Sequence, residues 1–242
     1  MIKFFRQIRQ NLLGKGETIK YFKYAIGEIV LVVIGILIAL AISKWNKNIN
    51  DRGIEEDLII ELYKGLQTDK TLLVLELNET NNAIRKLKIL NGLLKTTIQQ
   101  DSDSLNYLFG TVYGIRHLRL NLALYEDLKA IGLGIVKNAA LRSQIIKVFE
   151  EHYVNIGEIY MMEQSINEVN RPYYLSNFGS IEFSQYANPV NIENLWNDVY
   201  YKNIVHYRIV TLEYNQKTIY EKAIKDIEKL LEMVDERQID FN

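Results

Sequence analysis

The chain has no cysteine and only two prolines in 242 residues. Without thiols it can build neither a disulfide framework nor a thiolate metal site. Scarce proline leaves long stretches free to be helical, because a proline inside a helix removes a hydrogen bond and clashes with the preceding turn. A strong net charge is also missing, since 29 Lys+Arg against 30 Asp+Glu leave −1. With 48% hydrophobic and 24% charged residues, the disordered, collagenous and low-complexity classes are excluded. The three histidines, His117, His152 and His206, stand in neither an H-E-x-x-H nor a Glu-x-x-His arrangement. Phosphate-loop, dinucleotide and nucleophile-elbow motifs are absent as well. The sequence therefore nominates no catalytic, cofactor-binding or metal residue, and no cofactor is expected.

What is present is an uneven distribution of charge around one apolar run. Lys3, Arg6, Arg9, Lys15, Lys20 and Lys23 against Glu17 give residues 1–24 a net +5. Glu28 and Lys44 cancel, so the overall −1 leaves −6 for residues 45–242. An acidic body lacks the basic footprint that nucleic acid requires. Between head and body lies Ala25 to Ile42, 18 residues with Glu28 as their single charge. Tyr24 to Trp45 spans roughly 30 Å at about 1.5 Å per residue, the thickness of a bilayer hydrocarbon core. Tyr21, Phe22 and Tyr24 before the run and Trp45 after it supply interfacial aromatic belts. The sequence thus predicts a basic cytoplasmic amphipathic segment over residues 1–20 and a transmembrane helix over 21–45. Residues 46–242 then form an extracytoplasmic helical domain. Six Lys/Arg before the run outweigh Lys44, Lys47 and Arg52 after it, which puts the amino terminus in the cytoplasm. In a bacterium this is a single-pass protein of the inner membrane with a periplasmic body. The alternative is a signal peptide cleaved after Ala41, at the A-x-A-like Ala39-Leu40-Ala41. A long head and a long apolar run favour the anchor. Phe4, Phe5, Ile8, Leu12 and Leu13 share one side of a helix over residues 1–13, which suits an anionic leaflet.

The segment from Lys23 through Tyr24-Ala25-Ile26-Gly27-Glu28-Ile29 to Leu40 resembles the opening of a family of single-span membrane proteins with a domain of unknown function, common in Bacteroidetes. Met1 to Arg6 resembles that family's basic head, and Lys44-Trp45-Asn46-Lys47 its Asn/Trp-rich exit. Tyr125-Glu126-Asp127-Leu128-Lys129, Gly132 and Leu141-Arg142 resemble a second shared patch. The resemblance implies a membrane-anchored helical protein and supplies no activity.

Within the span, Gly35, Ala39 and Ser43 form a row of small residues that lets two helices approach closely. Glu28, seven positions before Gly35, falls about 20° off that row, so these four residues make a candidate helix-association face. The competing reading is an interfacial Glu28 that snorkels to the head groups.

The body reads as all-α, a long-helix antiparallel bundle following the transmembrane helix. Leu73, Leu77, Thr80, Ile84, Leu87, Asn91, Leu94 and Ile98 keep a 4-3 spacing, the mark of a heptad seam. Ile54, Leu58, Leu62 and Leu66 extend it upstream. A homo-oligomer through the seam and the membrane helix is one expectation, with Asn91 setting register. Residues 99–104 are a polar break, Asn121 and Gly132 bracket a short helix, and Asn138 caps a long helix to about Asn170. Arg171-Pro172 is expected to end it. Residues 171–191, with both prolines and Tyr173, Tyr174, Phe178, Phe183 and Tyr186, read as a long irregular aromatic loop. A last helix follows Asn191 or Asp198. Tyr125, Glu126, Lys129, Tyr173 and Tyr174 are candidate partner contacts. The expected function is a membrane-anchored periplasmic scaffold or sensor-like partner of an unidentified envelope protein, without catalysis. The alternative is an enzyme or small-ligand binder with a pocket under residues 171–191, using His152, His206, Tyr173 or Tyr174.

Overall fold

The computed structural model describes residues 18–97, 103–114 and 118–237. The amphipathic reading of residues 1–13, most of the polar break, Ile98 and His117 lie outside them. The chain divides into two compact units, residues 1–55 and 56–242.

Helix α1 covers Thr18–Leu93. In the first unit it contains a stretch long and apolar enough to cross a membrane, with a mean hydropathy of 2.9 and none of that window buried.

The second unit is built of helices with one two-stranded sheet. After α1 come α2 (Asp103–Val112), α3 (Ala123–Ile131) and a 3₁₀ turn at Leu133–Ile135. Next, α4 (Ala139–Ile146), a π-helical segment (Lys147–Tyr153) and α5 (Val154–Asn177) form one rod. Strands β1 (Phe178–Glu182) and β2 (Tyr186–Pro189) follow, then α6 (Ile192–Asn197). A last rod consists of α7 (Val199–Val210), a second π-helical segment (Thr211–Gln216) and α8 (Lys217–Asp235). The expected caps are in place. Asn138 Oδ1 accepts from Ala140 and Leu141 N–H, Asn191 Oδ1 from Asn194, and Asp198 Oδ1 from Tyr200. Gly132 ends α3 at φ 106, a backbone conformation that L side chains rarely adopt. Asn121 Oδ1 accepts from Ala123 N–H at the start of α3.

The sequence expectation is corrected at Pro172. The helix does not end there but runs through it to Asn177, and residues 178–189 form an antiparallel hairpin instead of an irregular loop. Proline removes only the bond to the Glu168 carbonyl. Pro172 and Glu168 are both exposed, so water can satisfy that carbonyl.

Two apolar cores close this unit. The first joins Ile59, Leu62, Leu66 and Leu73 of α1 to Leu141, Ile145, Phe149, Ile156, Ile227 and Leu230. The second joins Ile84, Leu87, Leu90 and Leu94 to Phe109, Tyr174, Phe178, Trp196, Tyr201 and Val205. Each such fully buried side chain contributes about 1.5–3 kcal/mol. The heptad seam is therefore occupied within the chain: Leu73, Thr80, Ile84, Leu87 and Leu94 are buried. Early α1 pairs with early α4–α5 and late with late, whereas α8 meets the first core and α7 the second. The last rod thus runs antiparallel to the other two. Crosslinks keep this order, with Lys70–Glu228 at 2.8 Å, Lys88–Glu213 at 2.7 Å and Trp196 Nε1 donating to Thr96 O at 2.8 Å.

Candidate functional site

Between the two cores α1 presents Thr80, and the last rod answers with Arg208, Thr211 and Gln216, all inside a polar layer. Gln216 Nε2 donates to Thr80 Oγ1 at 3.3 Å and to Tyr220 Oη at 3.2 Å. The Arg208 guanidinium is paired with the buried carboxylate of Glu163 from α5 and donates to Gly114 O at 3.0 Å. Glu163 Oε1 and Arg208 Nε are enclosed without hydrogen-bond partners among the described residues. Losing either member of a buried pair leaves an uncompensated charge, so this pair fixes the junction of α5, α7 and the end of α2. A cavity of about 70 Å³ borders it.

The hairpin lies on the other side of Gly114. Gly110 and Gly114, one helical turn apart, bring α2 against it: a Cβ at Gly110 would lie 2.2 Å from Tyr186 N, and one at Gly114 2.2 Å from Ser184 Oγ. Ser184 holds φ 64 in the turn, where Gln185 N–H donates to Glu182 O, and its own N–H donates to Tyr113 O at 3.1 Å. Tyr113 continues into an aromatic wall, its ring centroid 4.4 Å from Tyr174 and 5.2 Å from Phe183. Tyr174 in turn stacks on Phe178 at 5.1 Å. The exposed Arg171 lines the same surface as Tyr113, whose hydroxyl donates to Asn167 O at 3.4 Å. Two adjoining hollows, about 300 and 200 Å³, run along β1 and share Tyr113, Arg171 and Phe183. The larger also has Leu175 and residues 178–181 in its wall. This groove lies along the aromatic segment read above as an irregular loop, in which Tyr174 and Phe178 are buried while Leu175 and Phe183 are 71% and 62% exposed.

Of the sequence-nominated residues, Tyr173 donates from Oη to Asp198 Oδ2 at 2.5 Å, which ties the end of α5 to the cap of α7. Burial foremost and this bond second raise its pKa. Tyr174 and Tyr201 are fully buried, their hydroxyls without partners among the described residues, and burial raises both far above the ordinary phenol value. Tyr125 is buried and stacks on Phe149 at 4.6 Å with a 5° tilt, while its hydroxyl donates to Glu150 at 2.8 Å. Lys129 caps that ring at 5.3 Å and pairs with Glu126 at 3.1 Å. Any partner at this patch meets Glu126 and Lys129, not the Tyr125 ring. Gly35, Ala39 and Ser43 are exposed along one row of α1, and Glu28 is partly exposed.

His152 is a satisfied buried histidine. Its Nε2 lies 2.6 Å from Asp226 Oδ2, which also takes Lys147 Nζ at 2.8 Å. It borders the first core, Tyr174 belongs to the second, and His206 is exposed. The residues suggested for an enzyme pocket therefore do not converge. A residue that sequence reasoning missed is Asp69, buried on the heptad seam between Leu66 and Leu73. Its carboxylate accepts from Tyr153 Oη at 2.7 Å and from Asn121 N–H at 3.1 Å. Burial raises its pKa, opposed by these two bonds. The 3-4 spacing of Leu62, Leu66, Asp69 and Leu73 was the available signal.

No family model, curated protein or solved structure matches the chain.

Proposed function

We propose that the chain is a membrane-anchored interaction module. A single span holds it in the inner membrane of a bacterial envelope, and residues 46–242 face the periplasm and engage another envelope protein. The observation behind this reading is the contrast between a wholly unburied apolar stretch on α1 and a body that closes two apolar cores of its own. Such a stretch needs an apolar solvent, and lipid supplies it. The basic excess before the run and the likeness of residues 23–40 to the Bacteroidetes anchors support the envelope address and the orientation. The scattering of His152, His206 and Tyr174 favours a docking role over catalysis.

A one-thiol topology assay tests this. Ser143, exposed on α4, becomes the only cysteine in Ser143→Cys. Outer-membrane-permeabilised cells receive a membrane-impermeant maleimide and are blotted for label and size. Labelling of a full-length, membrane-bound chain is expected. Labelling only after lysis would place the body in the cytoplasm and overturn the orientation. A labelled but shortened and soluble product would overturn the anchor in favour of cleavage after Ala41.

A further inference from the structure

We infer that the open edge of β1 and the groove beside it bind an extended segment of the partner polypeptide, one that carries a carboxylate two residues from an apolar side chain. This rests on the interaction-module reading and names the chemistry of its partner. Strand β1 pairs with β2 on one side only. The far flank of β2 is closed by α2, where Gly110 admits Tyr186. Among the described residues no strand pairs with the outer edge of β1, and such an edge is the template that an added strand completes. Space is open there, because a Cβ built at Gly179 meets nothing within 4 Å, and Gly179, Ser180 and Glu182 are exposed.

The groove states what the added strand must carry. Leu175 and Phe183 leave most of their apolar surface to solvent and form one wall with Tyr113. Among the described residues, Arg171 is the single charged residue lining either hollow. Its planar guanidinium, beside Tyr113 in the lining of both hollows, suits a carboxylate held by two parallel hydrogen bonds. Side chains of a strand alternate between faces, so an apolar residue and an acid two positions along reach the wall and Arg171 together. A helical ligand would satisfy neither the strand edge nor this spacing.

Selection from a random-peptide phage library on the full-length chain in detergent tests the inference. Enriched peptides are expected to place an acid within two residues of an apolar side chain. By fluorescence polarisation they should lose about tenfold or more in affinity for Arg171→Glu, less for Arg171→Gln, and again when alternate peptide amides are N-methylated. Circular dichroism melts identify which of the two variants is folded for the comparison. No enrichment, enriched peptides without an acid, equal binding to the folded Arg171 variant, or indifference to N-methylation would overturn it. A failed selection beside correct labelling of Ser143→Cys removes the groove and leaves the anchored reading standing.

Discussion

At the scale of single residues, Asp226 shows how one carboxylate ties two rods together. Burial pushes its pKa up, but bonds from Lys147, His152 and Gln144 outweigh this and lower it from 3.8 to about 2. A carboxyl depressed in the folded state contributes stability that is fully present above its unfolded value and is lost as pH falls through the folded one. The contribution is about 2 kcal/mol, held above pH ~4 and lost progressively toward pH ~2. Asp226→Asn should therefore cost about 2 kcal/mol at neutral pH and flatten the acid limb of a urea-denaturation series. A variant that keeps the full acid limb would assign it to other groups. Asp69 works in the opposite sense. Its raised pKa means that stability from this group falls as pH rises from 3.8 through the folded value. The Asp226 limb is thus best read in an Asp69→Asn background, which removes the opposing slope.

Among the elements, Gly110 of α2 and Gly114 just past its end decide whether the hairpin docks. Gly110→Ala forces a methyl to within 2.2 Å of the Tyr186 backbone, which cannot rotate away. It should cost about 1–3 kcal/mol, as overpacking does. Gly92→Ala lies in α1 with nothing within 4 Å of the new methyl, and should gain about 0.5–1 kcal/mol from helix propensity. Urea midpoints at constant slope measure both, and equal effects would mean that the close approach at Gly110 carries no energy. The same elements show what sequence could and could not reveal. The seam on α1, the Asn138, Asn191 and Asp198 caps and the Gly132 stop were legible because each is a local device of spacing or side-chain chemistry. The hairpin was not. Residues 178–189 have a buried/exposed pattern set by α2 and α5 rather than by strand alternation, and the positive φ falls on Ser184 instead of on a glycine that would have announced it. Pro172 misled for a related reason, since its local penalty is offset by solvent at Glu168 and by the packing of Tyr173 and Tyr174 directly after it. The groove was half legible, because the aromatics of residues 171–191 were conspicuous while Tyr113 and Arg171 meet only through tertiary packing.

For the whole molecule, the occupied seam leaves the apolar stretch of α1 as the proposed place for self-association. Leu73, Thr80, Ile84, Leu87 and Leu94 are spent on the chain's own cores, so a second copy finds no free heptad face there. The span, by contrast, carries Gly35, Ala39 and Ser43 at intervals of four, and nothing lies within 4 Å of a Cβ built at Gly35. In lipid, helices associate through close packing of small residues and through polar groups that find partners across the interface. Glu28 lies about 20° from that row, and an ionised group in hydrocarbon costs on the order of 2.5–3.5 kcal/mol, so a second helix packed on this face shields it from lipid. The row and Glu28 therefore predict a weak dimer in the membrane. With Asn46→Cys as the only thiol, oxidative crosslinking in isolated membranes should trap it. Gly35→Leu should reduce the crosslinked fraction several-fold by holding the helices apart, and Glu28→Gln should reduce it less. Leu37→Ala, about 200° around the helix from Gly35, should leave it unchanged. If Gly35→Leu and Leu37→Ala crosslink equally well, the row takes no part in self-association, which leaves the groove beside β1 as the proposed route to a partner.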